Sequence, residues 1–583
     1  MMIAVVLSSN IRRMIRDRVL VRKPVGIEAA GSMDLLFTDK TGTLTEGKMS
    51  VGGIVLSDGS RYDSYRALQK NAKEIAELYA RSCRLNTASQ WSEGAVLGGN
   101  ATDRALLESV SAGKGERLPL VRARIPFDST KKFSAVSVGD GRLTLVKGAP
   151  ERLLPHLRYA YDREGRIGSF SGCAYELMKQ VNAMTASGGR VIFLAEGDHL
   201  PDQAGFGELT FLCAVLLQDR IRPEAKRSVR ELQGAGVRVV MITGDNRDTA
   251  GSIAKQCGIL EHSTDLIVTG EELAHMSDEE LKRCLPRLAV VARALPTDKS
   301  RLVRVAQEMQ RVVGMTGDGI NDAPALKRAD IGFAMGTGTR VAQDAGDIII
   351  LDNNLSSIAR AVLYGRNIFK SIRKFITLQL TMNFCAVGVS MIGPFVGIDA
   401  PVTVVQMLWI NIIMDTLGGL AFAGEAPLPS CMKEKPKRRE EPILNRYMIN
   451  QIVLLGGFTI GLYLTFLLSP TFTVLFRNTP DQLCLLTAFF ALFIFTSVFN
   501  CFNCRTDRLR LFAGIGGNRT FLLIMILVCA VQLLFVYLGG TVLRTMPLTA
   551  DELGYTLLTA LSVFPAELLR KLLWRIRGKK QGF

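Results

Sequence analysis

The sequence predicts a multidomain α/β assembly followed by an all-α membrane domain. Three observations carry this. Short apolar runs end in polar groups at Asp39, Thr243 and Asp318, the pattern of buried parallel strands that deliver side chains to one sheet edge. A stretch of mixed strands and helices, residues 47–215, interrupts that alternation and reads as an inserted domain. Apolar spans then follow one another beyond Ser371, each about long enough to cross a bilayer.

At 583 residues the chain is long enough for several domains, and an apolar content of 48% is high for a protein without a membrane part. The formal charge of +17 does not indicate nucleic acid, because aromatic residues do not interleave with the basic ones. Much of the basic excess flanks apolar spans, where it sets topology and meets anionic lipid. The eleven cysteines are scattered and are expected to be free thiols. Cys501 and Cys504 have redox or metal spacing without a second pair, so helix packing is the expectation there, and the four histidines form no ligand cluster.

Residues 1–23 open with an apolar run too short to span a bilayer, followed by Arg12, Arg13, Arg16, Arg18, Arg22 and Lys23. The charges follow the apolar run, the reverse of a signal peptide. Residues 35–38 then read as a buried strand with Asp39 at its carboxyl end, where open α/β sheets place ligands. A carboxylate there can attack the γ-phosphate of ATP and carry an acyl-phosphate. Lys40 offsets charge, Gly42 allows a tight turn, and the hydroxyls of Thr41, Thr43 and Thr45 can bind phosphate. The run Asp39-Lys40-Thr41-Gly42-Thr43-Leu44-Thr45 resembles, without a mismatch, the phosphorylation motif of P-type ATPases.

That resemblance implies a haloacid-dehalogenase-like Rossmannoid phosphorylation domain in two parts, residues 24–46 and 216–370, with an inserted α+β nucleotide-binding domain, residues 47–215. It casts residues 1–23 as the cytoplasmic half of a fourth membrane helix and its stalk, with the earlier helices and the actuator domain upstream of Met1. In the insertion, three short stretches match the family in order and spacing: one holding Asp103, one running from Phe127 to Lys132, and one holding Lys147 and Gly148. The resemblance makes Phe127 the ring stacked on adenine, lines the cleft with Asp103, Lys132, Lys147 and Gly148, and brings Arg190 to the phosphates.

From residue 216 strand–helix alternation resumes. One apolar run ends in Thr243-Gly244-Asp245 and another in Thr316-Gly317-Asp318-Gly319-Ile320-Asn321-Asp322, with Lys299 between them in sequence. Phosphoryl transfer needs neutralisation and positioning above all. The expected site has Mg²⁺ on Asp39, the Thr41 carbonyl and Asp318, phosphoryl oxygens held by Lys299 and the Thr243 hydroxyl, and Asn321 and Asp322 positioning Asp318. Asp219-Arg220-Ile221-Arg222-Pro223 matches the hinge between inserted and phosphorylated domains. Thr269-Gly270-Glu271 imitates the start of the actuator motif, but Glu272 follows it, and a capped helix N-terminus is the expectation.

Six transmembrane helices are expected within residues 371–577, near 375–396, 402–423, 447–469, 483–503, 520–541 and 553–574. Lys433, Lys435, Lys437, Arg438 and Arg439 in one loop, and Arg505, Arg508, Arg510 and Arg519 in another, put the nucleotide-binding head and the C-terminus in the cytoplasm. Asn383, Asn411 and Asp415 are polar groups inside these spans, and such groups signal function. Two amide oxygens and a carboxylate suit a hard cation such as Ca²⁺. Ala386 and Met414 follow the single-site calcium pumps of the plasma-membrane type, which the chain resembles here.

The expected function is therefore ATP-driven Ca²⁺ transport across the plasma membrane, with ATP, Mg²⁺, Ca²⁺ and the lipid bilayer as partners. The alternatives are a split or truncated half that binds ATP and needs a separate N-terminal half chain to transport, a pump for another cation, or a phosphatase of the haloacid dehalogenase superfamily. The phosphatase predicts an acidic residue two positions after Asp39, where Thr41 stands.

Overall fold

The computed structural model describes residues 2–92, 94–110, 118–128, 130–186, 188–201, 205–398, 401–439 and 441–578. The strand Leu35–Asp39 lies inside an eight-stranded sheet, flanked by Arg238–Ile242 on one side and Val313–Gly317 on the other, both parallel to it. Leu288–Ala292 and Leu266–Thr269 extend the sheet on the first side, and Ile331–Met335 and Ile348–Ile350 on the second. Val19–Val21 closes the second edge as an antiparallel strand. The chain leaves its first parallel strand to build outward on both sides, so the connections diverge above the carboxyl end of that strand and open a crevice there. Both faces are covered, which explains the unbroken apolar runs: Leu36 packs into one apolar cluster, and Leu35 and Phe37 into another.

The second sheet is nine-stranded and mostly antiparallel, built from residues of the insertion. Its two connecting strands, Thr45–Val55 and Leu209–Ile221, pair with one another from Val55 opposite Ala214 to Thr45 opposite Ile221. The expected domain limits after residues 46 and 215 thus fall inside strands. Composition did not reveal this, because Gly47, at φ +70°, reads as a turn residue although the strand runs on through it.

Among the described residues, five helices are long and apolar enough to cross a membrane: Leu355–Val396, Val404–Ala423, Arg446–Leu468, Leu483–Arg505 and Arg519–Leu538. The first begins well before the expected start near residue 375, because the polar segment ahead of it is one helix with it, Leu355–Ile392. At about 1.5 Å per residue that helix is roughly 57 Å long, enough to join head and membrane part as a single rod. It rests on the helix Val25–Ser32 through Gly365 and Gly31, where a β-carbon on Gly365 would lie 2.3 Å from the Ile27 carbonyl oxygen. The sixth expected span is not one helix. It is divided into Ala550–Leu561 and Val563–Ile576. Pro565 has no N–H to give to Leu561, and its ring crowds that carbonyl, so the helix breaks there. All eleven cysteines are unpaired. Cys504 accepts a hydrogen bond from Gln451 Nε2 at 3.2 Å in the helix interface.

Candidate active site and ion pocket

Asp39 stands at the carboxyl end of its strand, with its backbone N–H on Thr316 Oγ1 at 2.8 Å. Its Oδ1 accepts the Lys40 N–H at 2.8 Å and its Oδ2 accepts from Lys299 Nζ at 3.0 Å. Gly42, at φ +75°, turns the chain sharply back, and a β-carbon there would face Asp318 Oδ2 at 3.6 Å. The neighbouring strand ends supply the rest. Lys40 Nζ reaches across to Asp245 Oδ2 at 2.9 Å, and the buried Thr243 hydroxyl accepts the Asp245 N–H at 3.2 Å. Gly244 is exposed, with open space where a side chain would stand.

Asp322 is the organiser of this edge. Its Oδ1 accepts from Lys299 at 2.7 Å, and its Oδ2 accepts the N–H groups of Asp318 and Gly319 at 3.2 and 3.1 Å. Both oxygens are thereby committed to holding other site groups. Asn321, expected to share that work, lies exposed in the turn Ile320–Asp322. Asp39, Asp318 and Asp322 bring carboxylate oxygens within 4.8 Å of one another. Burial lifts the Asp318 carboxyl above its ordinary range, the charges of Asp39 and Asp322 add to this, and Lys299 opposes it. Burial acts to lower the Lys299 ammonium, but the two carboxylates outweigh it and hold the amine above its usual value. An all-oxygen cluster with more negative charge than one ammonium balances fits a hard divalent cation such as Mg²⁺.

The Asp219-Arg220-Ile221-Arg222 segment fastens the turn after Asp39. Asp219 Oδ2 accepts from the Thr45 hydroxyl at 2.6 Å and Oδ1 from the Gly47 N–H at 2.9 Å. Arg222 donates to the carbonyls of Thr45 and Gly42 at 3.1 and 3.2 Å. The decoy at Thr269 is a reciprocal helix cap: the Thr269 N–H meets Glu272 Oε2 at 2.8 Å, and the Glu272 N–H meets Thr269 Oγ1 at 3.2 Å.

In the second sheet, Phe127, Lys132, Lys147, Gly148 and Arg190 line one cavity of about 210 Å³. Phe127 is 40% exposed, an unusual placement for a large ring unless something covers it. Asp128 sets the turn behind it by accepting the Thr130 N–H at 2.7 Å, and Lys132 follows at φ +60°, its ammonium on Glu151 at 2.9 Å. Asp103 is not positioned as expected. It is buried, with one oxygen on the Lys147 ammonium and the other accepting the Ala88 N–H at 3.0 Å, so it fixes Lys147 and has no free oxygen for a nucleotide. Lys147 also donates to the Asn86 carbonyl, so its charge is held by two partners while the residue lines the cavity. We expect Phe127→Ala to weaken ATP binding by about 1–2 kcal/mol, the worth of one aromatic stacking contact, and to leave phosphorylation from inorganic phosphate unchanged. Paired ATP-binding and phosphate-labelling assays check this. Equal loss in both assays would remove Phe127 from the nucleotide site.

Among the apolar helices, Asn383 and Asn411 line a shared cavity of about 470 Å³, together with Ser390. Ser390 was overlooked in the sequence because a hydroxyl in an apolar helix ordinarily bonds its own backbone. The helix Val404–Ile412 widens into a π-helical turn at Ile413–Gly418, the kind of irregularity found at functional sites. Asp415 belongs to that turn, and its side chain lies outside the described residues.

A family model for haloacid dehalogenase-like hydrolases matches residues 33–330, and a second of that description matches 305–362. The chain belongs to this family. The model for the C-terminus of cation transporting ATPases matches residues 399–573. The chain is 34% identical over 571 residues to a probable plasma membrane-type calcium-transporting ATPase 6 of Oryza sativa subsp. japonica, covering 94% of this chain and 56% of the relative. It is likewise 34% identical over 611 residues to plasma membrane calcium-transporting ATPase 3 of Homo sapiens, covering 94% and 49%. Calcium-transporting ATPase 12 of Arabidopsis thaliana is 34% identical over 562 residues, covering 92% and 53%. These matches bear out the resemblance to P-type calcium pumps of the plasma-membrane type. The chain spans about half the length of these relatives.

Proposed function

We propose that this chain forms the catalytic and ion-binding part of an ATP-driven Ca²⁺ pump that works through an aspartyl-phosphate on Asp39. The observation that carries the reading is the convergence of Asp39, Lys299, Asp318 and Asp322 at one sheet edge. ATP lies with its adenine on Phe127 and its phosphates toward Lys132 and Arg190. A carboxylate oxygen of Asp39 attacks the γ-phosphorus, and the bond to the β-phosphate oxygen of ADP breaks as the acyl-phosphate bond forms. Lys299 and the Thr243 hydroxyl hold the transferred oxygens, while Asp322 keeps Lys299 and the Asp318 backbone in place. Mg²⁺, held by Asp39, the Thr41 carbonyl and Asp318, would neutralise the phosphoryl charge. Thr41 stands where a phosphatase of this family needs a general acid, so the acyl-phosphate persists.

Asn383, Asn411 and Asp415 supply oxygens to the transported Ca²⁺, and the basic loops keep the head and the C-terminus on the cytoplasmic side of the plasma membrane. Six or more oxygens normally surround Ca²⁺, and these side chains offer about half of them. In this reading a further polypeptide, corresponding to the N-terminal part of the relatives, completes the ion's shell. Vesicles containing the 583-residue chain alone are expected to show no labelled Ca²⁺ uptake on adding ATP. Co-expression with a chain corresponding to that N-terminal part should restore uptake, and Asp415→Ala should abolish it again. Uptake by the chain alone, above an Asp39→Asn control, would mean that the ion site is complete within these helices.

A further inference from the structure

We propose that the cleft between the eight-stranded domain and the loop at residues 424–445 binds a multivalent phosphate. This site is distinct from the Asp39 edge and the Phe127 cavity, and the proposal stands independently of calcium transport. The cleft is a cavity of about 650 Å³, with Asp34, Gly236 and Arg311 on the head side and Lys435, Lys437, Arg438 and Arg439 on the loop side. Five basic side chains thus face one carboxylate. Arg311 is spent on Asp34 at 3.1 Å, and Arg439 on Asp330 at 2.9 Å. Among the described residues Lys435 and Arg438 have no ion pair, and both are exposed. Lys437 is the most telling. Its ammonium is buried without a hydrogen-bond acceptor, 3.0 Å above the Phe369 ring. Burial first, then the nearby Arg373, pushes its amine down to about 7 against the pull of Glu441 and Glu434.

The walls of the cleft are fixed before any ligand arrives. Arg366, buried in the long helix, donates to the carbonyl of Ala235 on the head wall and to those of Cys431 and Glu434 on the loop wall, at 2.7, 2.9 and 2.7 Å. Gly236, at φ +77°, lets Pro436 seat directly against the head, where a β-carbon would lie 2.6 Å from the proline ring. The positive-inside rule accounts for basic residues in such a loop. It does not account for Lys437, which lines this cavity opposite a separate domain while its ammonium, seated on Phe369, has no hydrogen-bond acceptor. A phosphate-bearing polyanion meets the requirement: its oxygens would give Lys437 the acceptor it lacks and pair with Lys435 and the Arg438 fork. A soluble polyphosphate and a phosphorylated lipid headgroup share that chemistry.

The test is calorimetric titration of inorganic tripolyphosphate into the full chain, held in nanodiscs of neutral lipid and without magnesium. One-to-one binding is expected, weakened about tenfold or more in K435Q/R438Q and in K437M, the latter keeping the packing on Phe369. R508Q/R510Q, which removes exposed charge from the other basic loop, should bind as the parent does. Nanodiscs with a minor fraction of phosphoinositide separate the sources. Suppressed tripolyphosphate binding there assigns the cleft to a headgroup, and undiminished binding assigns it to a soluble phosphate. The proposal is overturned if K435Q/R438Q and K437M bind like the parent, if R508Q/R510Q weakens binding equally, or if the parent does not bind.

Discussion

Asp39→Asn is expected to abolish the acid-stable, hydroxylamine-sensitive phosphoenzyme formed from γ-labelled ATP, a loss of about 10⁴-fold or more because an amide is no nucleophile toward phosphorus. The substitution is nearly isosteric, and the surroundings tolerate it. The amide oxygen can still accept the Lys40 N–H, and Lys299 keeps its 2.7 Å bond to Asp322. The Phe127 cavity belongs to another sheet, so ATP binding should persist. Loss of labelling with retained nucleotide affinity is therefore the diagnostic pair of results. A variant that still forms the labelled species would require a different phosphate acceptor.

The second large effect is expected at Lys299. Its ammonium bridges Asp39 and Asp322 at 3.0 and 2.7 Å, and all three side chains are largely buried. Lys299→Met leaves the carboxylates of Asp39, Asp318 and Asp322 facing one another without a cation. Removing one partner from a buried ion pair costs about 3 kcal/mol or more. Losing a fixed positive charge where the phosphoryl group develops charge slows transfer by roughly 10²–10³-fold. Thermal unfolding without magnesium should show the first effect, and phosphoenzyme formation at saturating ATP the second. Because the folded site holds the amine above its ordinary value, Lys299 stays charged through the neutral range, and mild alkalinity should not imitate the substitution. Wild-type rates in Lys299→Met would exclude the lysine from the transfer step.

How much of this was legible depended on the range of the interactions. Asp39 could be placed because a short apolar strand followed by Asp-Lys-Thr-Gly encodes both burial and turn locally, and its partner strands carry the same signature at Thr243 and Asp318. The role of Asp322 was only half readable. Its bond to Lys299 closes a gap of 23 residues through a helix packed on the sheet, and no local pattern records it. Asp103 was misplaced for a related reason: its partner Lys147 is 44 residues away, and only the fold reveals that Asp103 is buried on that ammonium. In the membrane part, hydropathy found the spans but not the start of Leu355–Ile392, since a helix rising out of the bilayer keeps its winding while its composition turns polar. Pro565 carried the signal for the divided final span, but a proline inside an apolar stretch is compatible with a kinked single helix as well as with two.

The two paired strands Thr45–Val55 and Leu209–Ile221 have a consequence for modularity. Every strand of the eight-stranded sheet comes from outside the stretch between them. The stretch also leaves and returns on adjacent strands, whose backbones run about 5 Å apart. The ends that any replacement must join are therefore already neighbours, so the chain entropy of closing them depends little on what lies between. An ancestor with a simple hairpin there would have had the same parent sheet and the same Asp39 edge. The inserted domain can thus be lengthened, trimmed or exchanged in evolution without renegotiating the packing around Asp39.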